Sequence, residues 1–574
     1  MAPTEYTFKT WDGTQLFYRA WLPKTPVNKA LLLFHRGHEH SGRWQEVVDL
    51  LALDDIAIFA WDARGHGRSP GERGAAPNFN AVIKDTDAFA HHVSREYNIA
   101  LENMIVLAHS LAAVNVTAWV HDYAPPIRAM ILATAAFRVR LYVPFAIPAL
   151  RLKQKTLGPG YVKSYVKAKM LTHDPDQAAR YNADPLIFRQ IAVNILLDLY
   201  DVSKRLLADA GAINVPTLML GAGTDWVVSL DAQRDFFNNI SSPVKRMHVF
   251  PAAYHAIFHE KDRHMAIQLT REFIVERFAQ PQTPVSLMNA DRVGYTWEEH
   301  ERLKLRGGPQ FVAARLMMKT AGRLSKGIDL GWRSGFDSGL TLDYVYKNQA
   351  QGVTRLGRLI DRAYLNSPGW RGIQQRKANL VQSLRRVIEE THADGRPVHI
   401  VDIAAGGGRY LLETMRSVPD SIPISALLRD YKTENVEAIG ALAQELDLKN
   451  VTAQQADAFD RASLASIQPR PTVGIVSGLY ELFPSNTLVS QSLGGLADAI
   501  ESGGHLIYTN QPWHPQVEFI ARVLRNREGQ PWIMRRRTTA EMDELVRAAG
   551  FEKIDMEIDQ WGMFSVSIAR RLVA

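Results

Sequence analysis

Ser110 sits in the run Val106-Leu107-Ala108-His109-Ser110-Leu111-Ala112, where an apolar strand turns into a helix. A serine on so sharp a turn presents its hydroxyl above a sheet, and only small residues fit two positions to either side. Glycine is the usual flank; here Ala108 and Ala112 fill both places. A hydroxyl attacks a carbonyl only when a base takes its proton, and an imidazole base needs a carboxylate to hold its tautomer. Two later loops supply both groups. The strand through Leu220 leads to Gly221-Ala222-Gly223-Thr224-Asp225, and the strand through Phe250 leads to Pro251-Ala252-Ala253-Tyr254-His255. Ser110, Asp225 and His255 are therefore the expected nucleophile, orienting acid and general base, in the order serine, acid, histidine.

A second constellation lies far downstream. In His399-Ile400-Val401-Asp402-Ile403-Ala404-Ala405-Gly406-Gly407-Gly408 a strand opens into a helix through glycines, which let a backbone approach a nucleotide-like ligand. About twenty residues after the glycines a strand ends at Asp430, where a carboxylate could accept both hydroxyls of a ribose. Asp457 and Ala458, after the next strand, are placed to reach an adenine edge. Asp402, Gly406, Gly408, Asp430, Asp457 and Ala458 are thus the expected cofactor contacts. Tyr480, Glu481 and His514 follow strands as well; each either takes a proton from an incoming nucleophile or shapes its pocket. With no cysteine to ligate a metal, no metal site is expected, and His35, His40, His66 and His109 are expected to be structural.

Positioning these groups requires two α/β sheets. Strands are expected at 30–34, 56–61, 104–108, 129–134, 217–220 and 246–250, interrupted by a helical insertion over about 137–208. A second series is expected at 398–403, 424–428, 473–477, 504–509, 553–558 and 564–569. The domains read as 1–278, a linker and basic helical segment over 279–329 containing the Pro-rich Ala279–Pro284, and 330–574.

The first of these domains resembles the monoacylglycerol lipase and lysophospholipase branch of the α/β-hydrolases. His35-Arg36-Gly37-His38-Glu39-His40-Ser41-Gly42-Arg43-Trp44 is similar to that family's His-Gly-x-Gly-Glu-His-Ser-x-Arg-Tyr loop, and Asp62-Ala63-Arg64-Gly65-His66-Gly67-Arg68-Ser69 matches its Asp-x-Arg-Gly-His-Gly-x-Ser turn. The resemblance implies an oxyanion hole from the backbone N–H groups of Gly37 and Leu111, and a single-chain lipid ester as substrate. Arg36 and His38 depart from it, each replacing glycine; Arg36 either braces an anionic headgroup or points to solvent. The last domain resembles the class I methyltransferases that use S-adenosylmethionine. An NAD-dependent dehydrogenase shares its glycine-rich turn, but the helix 541–550 followed by two strands resembles the antiparallel ending of the methyltransferases. Asn510-Gln511-Pro512 departs from the Asn/Asp-Pro-Pro-Tyr signature of amino-group methylation, which points to an oxygen or unusual acceptor.

Charge adds a partner. Against a formal net charge of +7, the stretch 302–377 carries about fifteen Lys/Arg and about four Asp/Glu. It suits lipid headgroups or nucleic acid, or is simply a solvated linker. The apolar run Val143–Leu150, ringed by Arg138, Arg140, Arg151, Lys153 and Lys155, either dips into an anionic bilayer or packs as a cap. The N-terminus lacks the pattern of a signal peptide and the longest apolar run is far short of a membrane span, so a cytoplasmic protein with peripheral membrane contact is expected. The leading expectation is a bifunctional lipid hydrolase and methyltransferase. The alternatives are a methyltransferase-like domain that only binds and regulates, or one that modifies RNA; with no aromatic RNA-binding motif present, no nucleic-acid partner is expected.

Overall fold

The structure, a computed structural model, describes residues 2–419 and 421–573. It comprises two compact units, Met1–Val285 and Ser286–Ala574.

The first unit holds β1 (Thr4–Lys9), β2 (Gln15–Trp21), β3 (Ala30–Phe34), β4 (Ala57–Trp61), β5 (Met104–His109), β6 (Ala129–Ala133), β7 (Tyr161–Lys163), β8 (Gln190–Ala192), β9 (Thr217–Ala222) and β10 (Lys245–Phe250). Eight of them form one sheet in the order β1-β2-β4-β3-β5-β6-β9-β10. It is parallel from β4 to β10, with β2 antiparallel to its neighbours β1 and β4. The central strands are continuous apolar runs such as Ala30-Leu31-Leu32-Leu33-Phe34, buried throughout because helices cover both faces. The hairpin β1–β2 lies outside the expected strands: β1 is an edge exposed at all but one position, and its polar residues give no strand signal. Helix Phe79–Tyr97 shows how sequence sets the ends of an element. Asn78 accepts from the Ala81 N–H at 2.8 Å at its start, and Asn98 adopts a left-handed φ of 53° at its end. Between β6 and β9 the chain makes helices Ala146–Leu157, Pro175–Ala183 and Val193–Ala208 and the small antiparallel pair β7–β8.

The second unit begins with Ser286 and Leu287, which donate to Glu544 at 2.7 and 2.6 Å. Its sheet contains β11 (Val398–Asp402), β12 (Ile424–Asp430), β13 (Val451–Gln455), β14 (Val473–Val476), β15 (His505–Asn510), β16 (Phe551–Ile558) and β17 (Ser565–Arg571), in the order β13-β12-β11-β14-β15-β17-β16. The first five are parallel; β17 runs antiparallel between β15 and β16. This is the Rossmann-like sheet with the antiparallel ending expected from sequence. Helix Pro368–Ala393 opens with proline at its first turn and packs Leu380, Leu384, Val387 and Ile388 onto the sheet, spaced three or four apart as one helical face requires. Among the described residues no helix is long and apolar enough to cross a membrane.

Candidate active site

Ser110 lies between β5 and helix Leu111–Tyr123 with φ 61° and ψ −116°, a conformation non-glycine residues rarely adopt. The strain is over-determined by its surroundings: Ser110 N–H donates to the Ala133 carbonyl, and its own carbonyl accepts from the Ala136 N–H. Ala108 and Ala112 are buried on either side, as the tight turn demands. Asp225 and His255 lie on the loops after β9 and β10, and the sheet brings all three together. His255 Nδ1 is 2.8 Å from Asp225 Oδ2, and His255 Nε2 is 2.8 Å from Ser110 Oγ.

The Asp225 carboxylate can only accept, so Nδ1 carries a hydrogen, and in the neutral imidazole Nε2 then accepts from the serine hydroxyl. Burial pushes the Asp225 carboxyl up, but His255 and the N–H groups of Val228 and Val227 outweigh it and hold it below its ordinary value. Two residues steady the base from behind: Thr134, which the sequence does not single out, and His109, expected to be structural. Thr134 Oγ1 donates to the His255 carbonyl at 3.0 Å, and His109 Nε2 approaches the same oxygen at 3.0 Å. Thr134 has a visible signal only in its place at the end of a strand beside the nucleophile.

Leu111 opens its helix, so its N–H has no partner within the helix. A Cβ built on Gly37 would lie 3.8 Å from the Leu111 side chain, so the two residues expected to form the oxyanion hole are neighbours. The loop bearing Gly37 is pinned by the Asp62–Ser69 turn downstream: Asp62 accepts from Ser41 N–H at 2.6 Å and Arg68 N–H at 2.7 Å. His35 Nε2 accepts from Ala63 N–H, so its Nδ1 donates to the Arg36 carbonyl at 2.8 Å. Of the histidines expected to be structural, His35 and His109 hold the site, His40 Nε2 lies 3.0 Å from Asp184, and His66 is half-buried with Nδ1 on the Arg64 carbonyl. Arg36 does not point to solvent; it is buried against Glu39. Ser110, His255, Gly37 and Leu111 line a cavity of about 420 Å³ whose other walls are mostly apolar and come largely from the cap, including Leu141, Val143, Leu150, Leu196 and Leu199. A strained serine hydrogen-bonded to an imidazole at the end of an apolar chamber can carry out acyl transfer from an ester with an apolar chain.

In the second unit, β11 and β12 bring the expected cofactor residues to one edge. Gly406 and Gly407 face open space, and Gly406 has φ 55°. Gly408, φ 66°, is glycine for packing: a Cβ there would meet Leu428 at 2.5 Å. Asp430 Oδ2 accepts from Gly406 N–H at 2.9 Å, while Oδ1 accepts from Lys432 N–H and the Asn435 amide, each at 2.9 Å. Three of its roughly four lone-pair positions are thus taken, leaving capacity for one ribose hydroxyl rather than two. Asp402 is fully buried against the Tyr410 hydroxyl, and burial pushes its carboxyl up to about 7; it braces the glycine turn from below. Asp457 is exposed and accepts from Phe459 N–H, with Ala458 buried beside it. An open glycine cradle with a carboxylate at its rim fits a nucleoside-containing cofactor.

The three acceptor-side candidates separate. Tyr480 is buried in the core with its hydroxyl on Ser492, and His514, driven down to about 4 by burial, accepts from Gln516 N–H at 3.0 Å. Glu481 pairs through Oε1 with Arg376 Nη1 at 3.1 Å, whereas its Oε2 has no hydrogen-bond partner, nor does the nearby strand-end hydroxyl Ser477 Oγ. Arg376 belongs to the basic stretch that sequence reads as surface charge, yet it is buried. Sequence also passes over Arg535, Arg536 and Arg537, all buried. Arg537 donates to the carbonyls of Tyr480 and Phe483, and Arg536 to that of Pro512, so the run clamps the loops after β14 and β15. Among the described residues no group of three or more His, Asp or Glu side chains could hold a metal ion.

Set beside known proteins, residues 270–571 match a family model described as "Putative methyltransferase", and residues 25–262 match one described as "Serine aminopeptidase, S33". The "Uncharacterized protein YnbC" of Escherichia coli is 48% identical over 99% of this chain and 98% of its own. The monoacylglycerol lipase of Mycolicibacterium smegmatis is 24% identical, covering 47% of this chain and 97% of its own. A crystal structure of Paleococcus ferrophilus monoacylglycerol lipase aligns with 48% of this chain and 100% of that one, at 22% identity and a TM-score of 0.41.

Proposed function

The chain belongs to the methyltransferase family matched over residues 270–571, with an α/β-hydrolase domain related to monoacylglycerol lipases fused ahead of it, and from that premise we propose that it hydrolyses a single-chain lipid ester and transfers a methyl group from S-adenosylmethionine. The observation that carries the hydrolase half is the Ser110–His255–Asp225 relay at 2.8 Å per step, opening on an apolar cavity. As Ser110 Oγ attacks the ester carbonyl, its proton passes to His255 Nε2, and Asp225 stabilises the resulting imidazolium. The N–H groups of Gly37 and Leu111 receive the negative charge that develops on the carbonyl oxygen. His255 then returns the proton to the leaving alcohol, and a water molecule, deprotonated by the same nitrogen, frees the acyl group. A cavity of this volume and lining suits the acyl chain of a monoacylglycerol or lysophospholipid.

For the second half, Gly406 and Gly408 form the cofactor turn, braced by Asp402, with Asp430 on the ribose and Asp457 and Ala458 toward the adenine. Bound there, S-adenosylmethionine supplies an electrophilic methyl group. The protein's own task is to bring an acceptor to the ends of β14 and β15 and receive its proton, and the unpartnered Glu481 Oε2 supports that role.

Peripheral contact with an anionic membrane from the cytoplasm is part of the same reading. Phe145, before the cap helix, is 82% exposed. In the second unit, Leu316 on helix Pro309–Lys319 and Leu356 on helix Arg355–Leu365 are 64% and 58% exposed, among exposed Arg306, Lys319, Arg355 and Arg358. One experiment tests the whole: intact protein, a lipid extract and methyl-labelled S-adenosylmethionine, with released fatty acid and labelled product both followed. Released fatty acid and a labelled lipid are expected. Label in RNA alone would replace the second half of the reading, and cofactor binding without turnover would reduce it to a regulatory domain.

A further inference from the structure

Arg36 stands where the lipase-like loop carries glycine, and its side chain is only 4% exposed. Its Nη2 donates to Glu39 Oε1 at 2.7 Å, and the guanidinium lies 5.5 Å from the centre of the Tyr181 ring. Nε and Nη1 have no hydrogen-bond partner. A buried guanidinium N–H without an acceptor has lost its water and gained nothing in return. Glu39 does not cancel the charge by itself, because Arg43 Nε also approaches the same carboxylate oxygen at 3.4 Å. Asp225 contributes to the field at Arg36 but is bound to His255.

The surroundings show where an acceptor would come from. Arg36, Gly37, His38 and Leu111 line the 420 Å³ cavity on one side and a smaller one of about 80 Å³ on the other. The smaller chamber is walled mainly by apolar side chains such as Trp61, Phe79 and Val82, with His35, Arg64 and His66 among its few polar ones. Arg64 is spent: Nε and Nη2 bind Asp85, and Nη1 binds Asp12 and Thr14. Burial keeps His38 and His66 uncharged, driving them down to about 4 and about 3. Arg36 is the cation here with donors to spare. It is also the immediate chain neighbour of the oxyanion donor Gly37, about 3.8 Å away between Cα atoms, so a group a few bonds beyond the scissile ester falls within its reach.

We propose that the hydrolase site selects esters whose alcohol part carries an anionic oxygen group, with the acyl chain in the large apolar cavity and the anion held by the unpartnered Arg36 N–H groups beside the small chamber. The proposal rests on the serine-hydrolase reading and narrows it, from lipid esters in general to anionic ones such as acyl glycerol phosphates.

The test uses the full chain and octanoyl esters, short enough to stay dispersed. The substrates are octanoyl glycerol, octanoyl glycerol 3-phosphate and octanoyl glycerate, the last two distinguishing phosphate from carboxylate. The wild type should favour at least one anionic ester over the neutral one in kcat/KM by about tenfold to a hundredfold, the yield of one charge-assisted hydrogen bond. Arg36→Gln should collapse that ratio and Arg36→Lys restore part of it; a ratio is unaffected by a general loss of active protein. In parallel, binding of the octyl ether of glycerol 3-phosphate, which cannot be hydrolysed, is compared with that of octyl glycerol ether on wild type and Arg36→Gln. Equal rates and equal binding for neutral and anionic ligands, or a preference that survives Arg36→Gln, would overturn the proposal. If no ester is cleaved yet the phosphate ether binds through Arg36, the hydrolase reading fails and the anion subsite stands.

Discussion

At the scale of single residues, the two halves carry different expectations. Ser110→Ala should remove about six orders of magnitude from ester turnover, as loss of a triad serine can. Asp225→Asn should cost about 10⁴, because an amide that donates toward Nδ1 stabilises the wrong imidazole tautomer. Both are read by initial rates on a short-chain ester, and a Ser110→Ala enzyme that kept its rate would remove the serine from the chemistry. Glu481→Gln should slow methyl transfer by about 10²–10⁴ while cofactor affinity, measured by calorimetry, is preserved. Asp402 makes a prediction about stability. Its carboxyl is raised to about 7, so the folded chain holds that proton more tightly than the unfolded chain does. Its contribution is therefore fully present below pH ~4 and is lost as the pH rises toward 7. The neutral Asp402→Asn should escape that loss, its melting temperature gaining on the wild type between pH 4 and pH 8 by the equivalent of a few kcal/mol at most. A difference independent of pH would mean that Asp402 is ionised throughout.

At the scale of elements, the oxyanion loop is held by a turn more than twenty residues downstream. Gly67 has φ 50°, and a Cβ there would come within 2.1 Å of Asp62 Oδ2, the oxygen that binds Arg68 N–H. Gly67→Ala should therefore cost on the order of 1–3 kcal/mol in unfolding free energy and also lower kcat, since displacing Asp62 frees the Ser41 N–H. Unfolding curves paired with kinetics check it; lost stability with kcat intact would uncouple the turn from the loop. The same elements explain what was legible in sequence. Buried parallel strands such as β3 and β5 announce themselves as unbroken apolar runs, and the triad is visible because each member follows one of them. Asp430 was visible as a carboxylate at a strand end, but not its three protein donors, which come from a glycine turn, a backbone N–H and an amide brought together only by folding. Arg376 and the run Arg535–Arg537 were misleading for a physical reason: arginine is usually a surface residue, and nothing local reveals the carbonyls and carboxylates that bury these four. Arg36 was the converse, a departure noticed at once whose buried setting only the packing discloses.

At the scale of the whole molecule, two catalytic designs share one chain, and fusion fixes their ratio at one to one without requiring a common intermediate. If each unit works by its own residues, Ser110→Ala should leave methyl transfer at the wild-type rate, and a parallel fall in both activities would show that one reaction feeds the other. The proposed membrane contact likewise rests on many charges acting together. Full-length protein should sediment with vesicles rich in phosphatidylglycerol and less with neutral ones, and binding should weaken as salt is raised. Leu316→Glu with Leu356→Glu should reduce binding even at low salt, because insertion of apolar side chains is screened far less than charge is.

The place of β17 has a consequence for how the chain is born. Because Ser565–Arg571 lies between β15 and β16, β16 has no partner until residue 571 has left the ribosome. The sheet of the first unit, in contrast, is complete at Phe250, and its last helix ends at Ala279. At 5–20 residues per second the hydrolase can mature roughly 15–60 s before the methyltransferase sheet closes. If the proposed hydrolase reading holds, the nascent polypeptide is during that interval already able to cleave esters while still tethered to the machine that makes it.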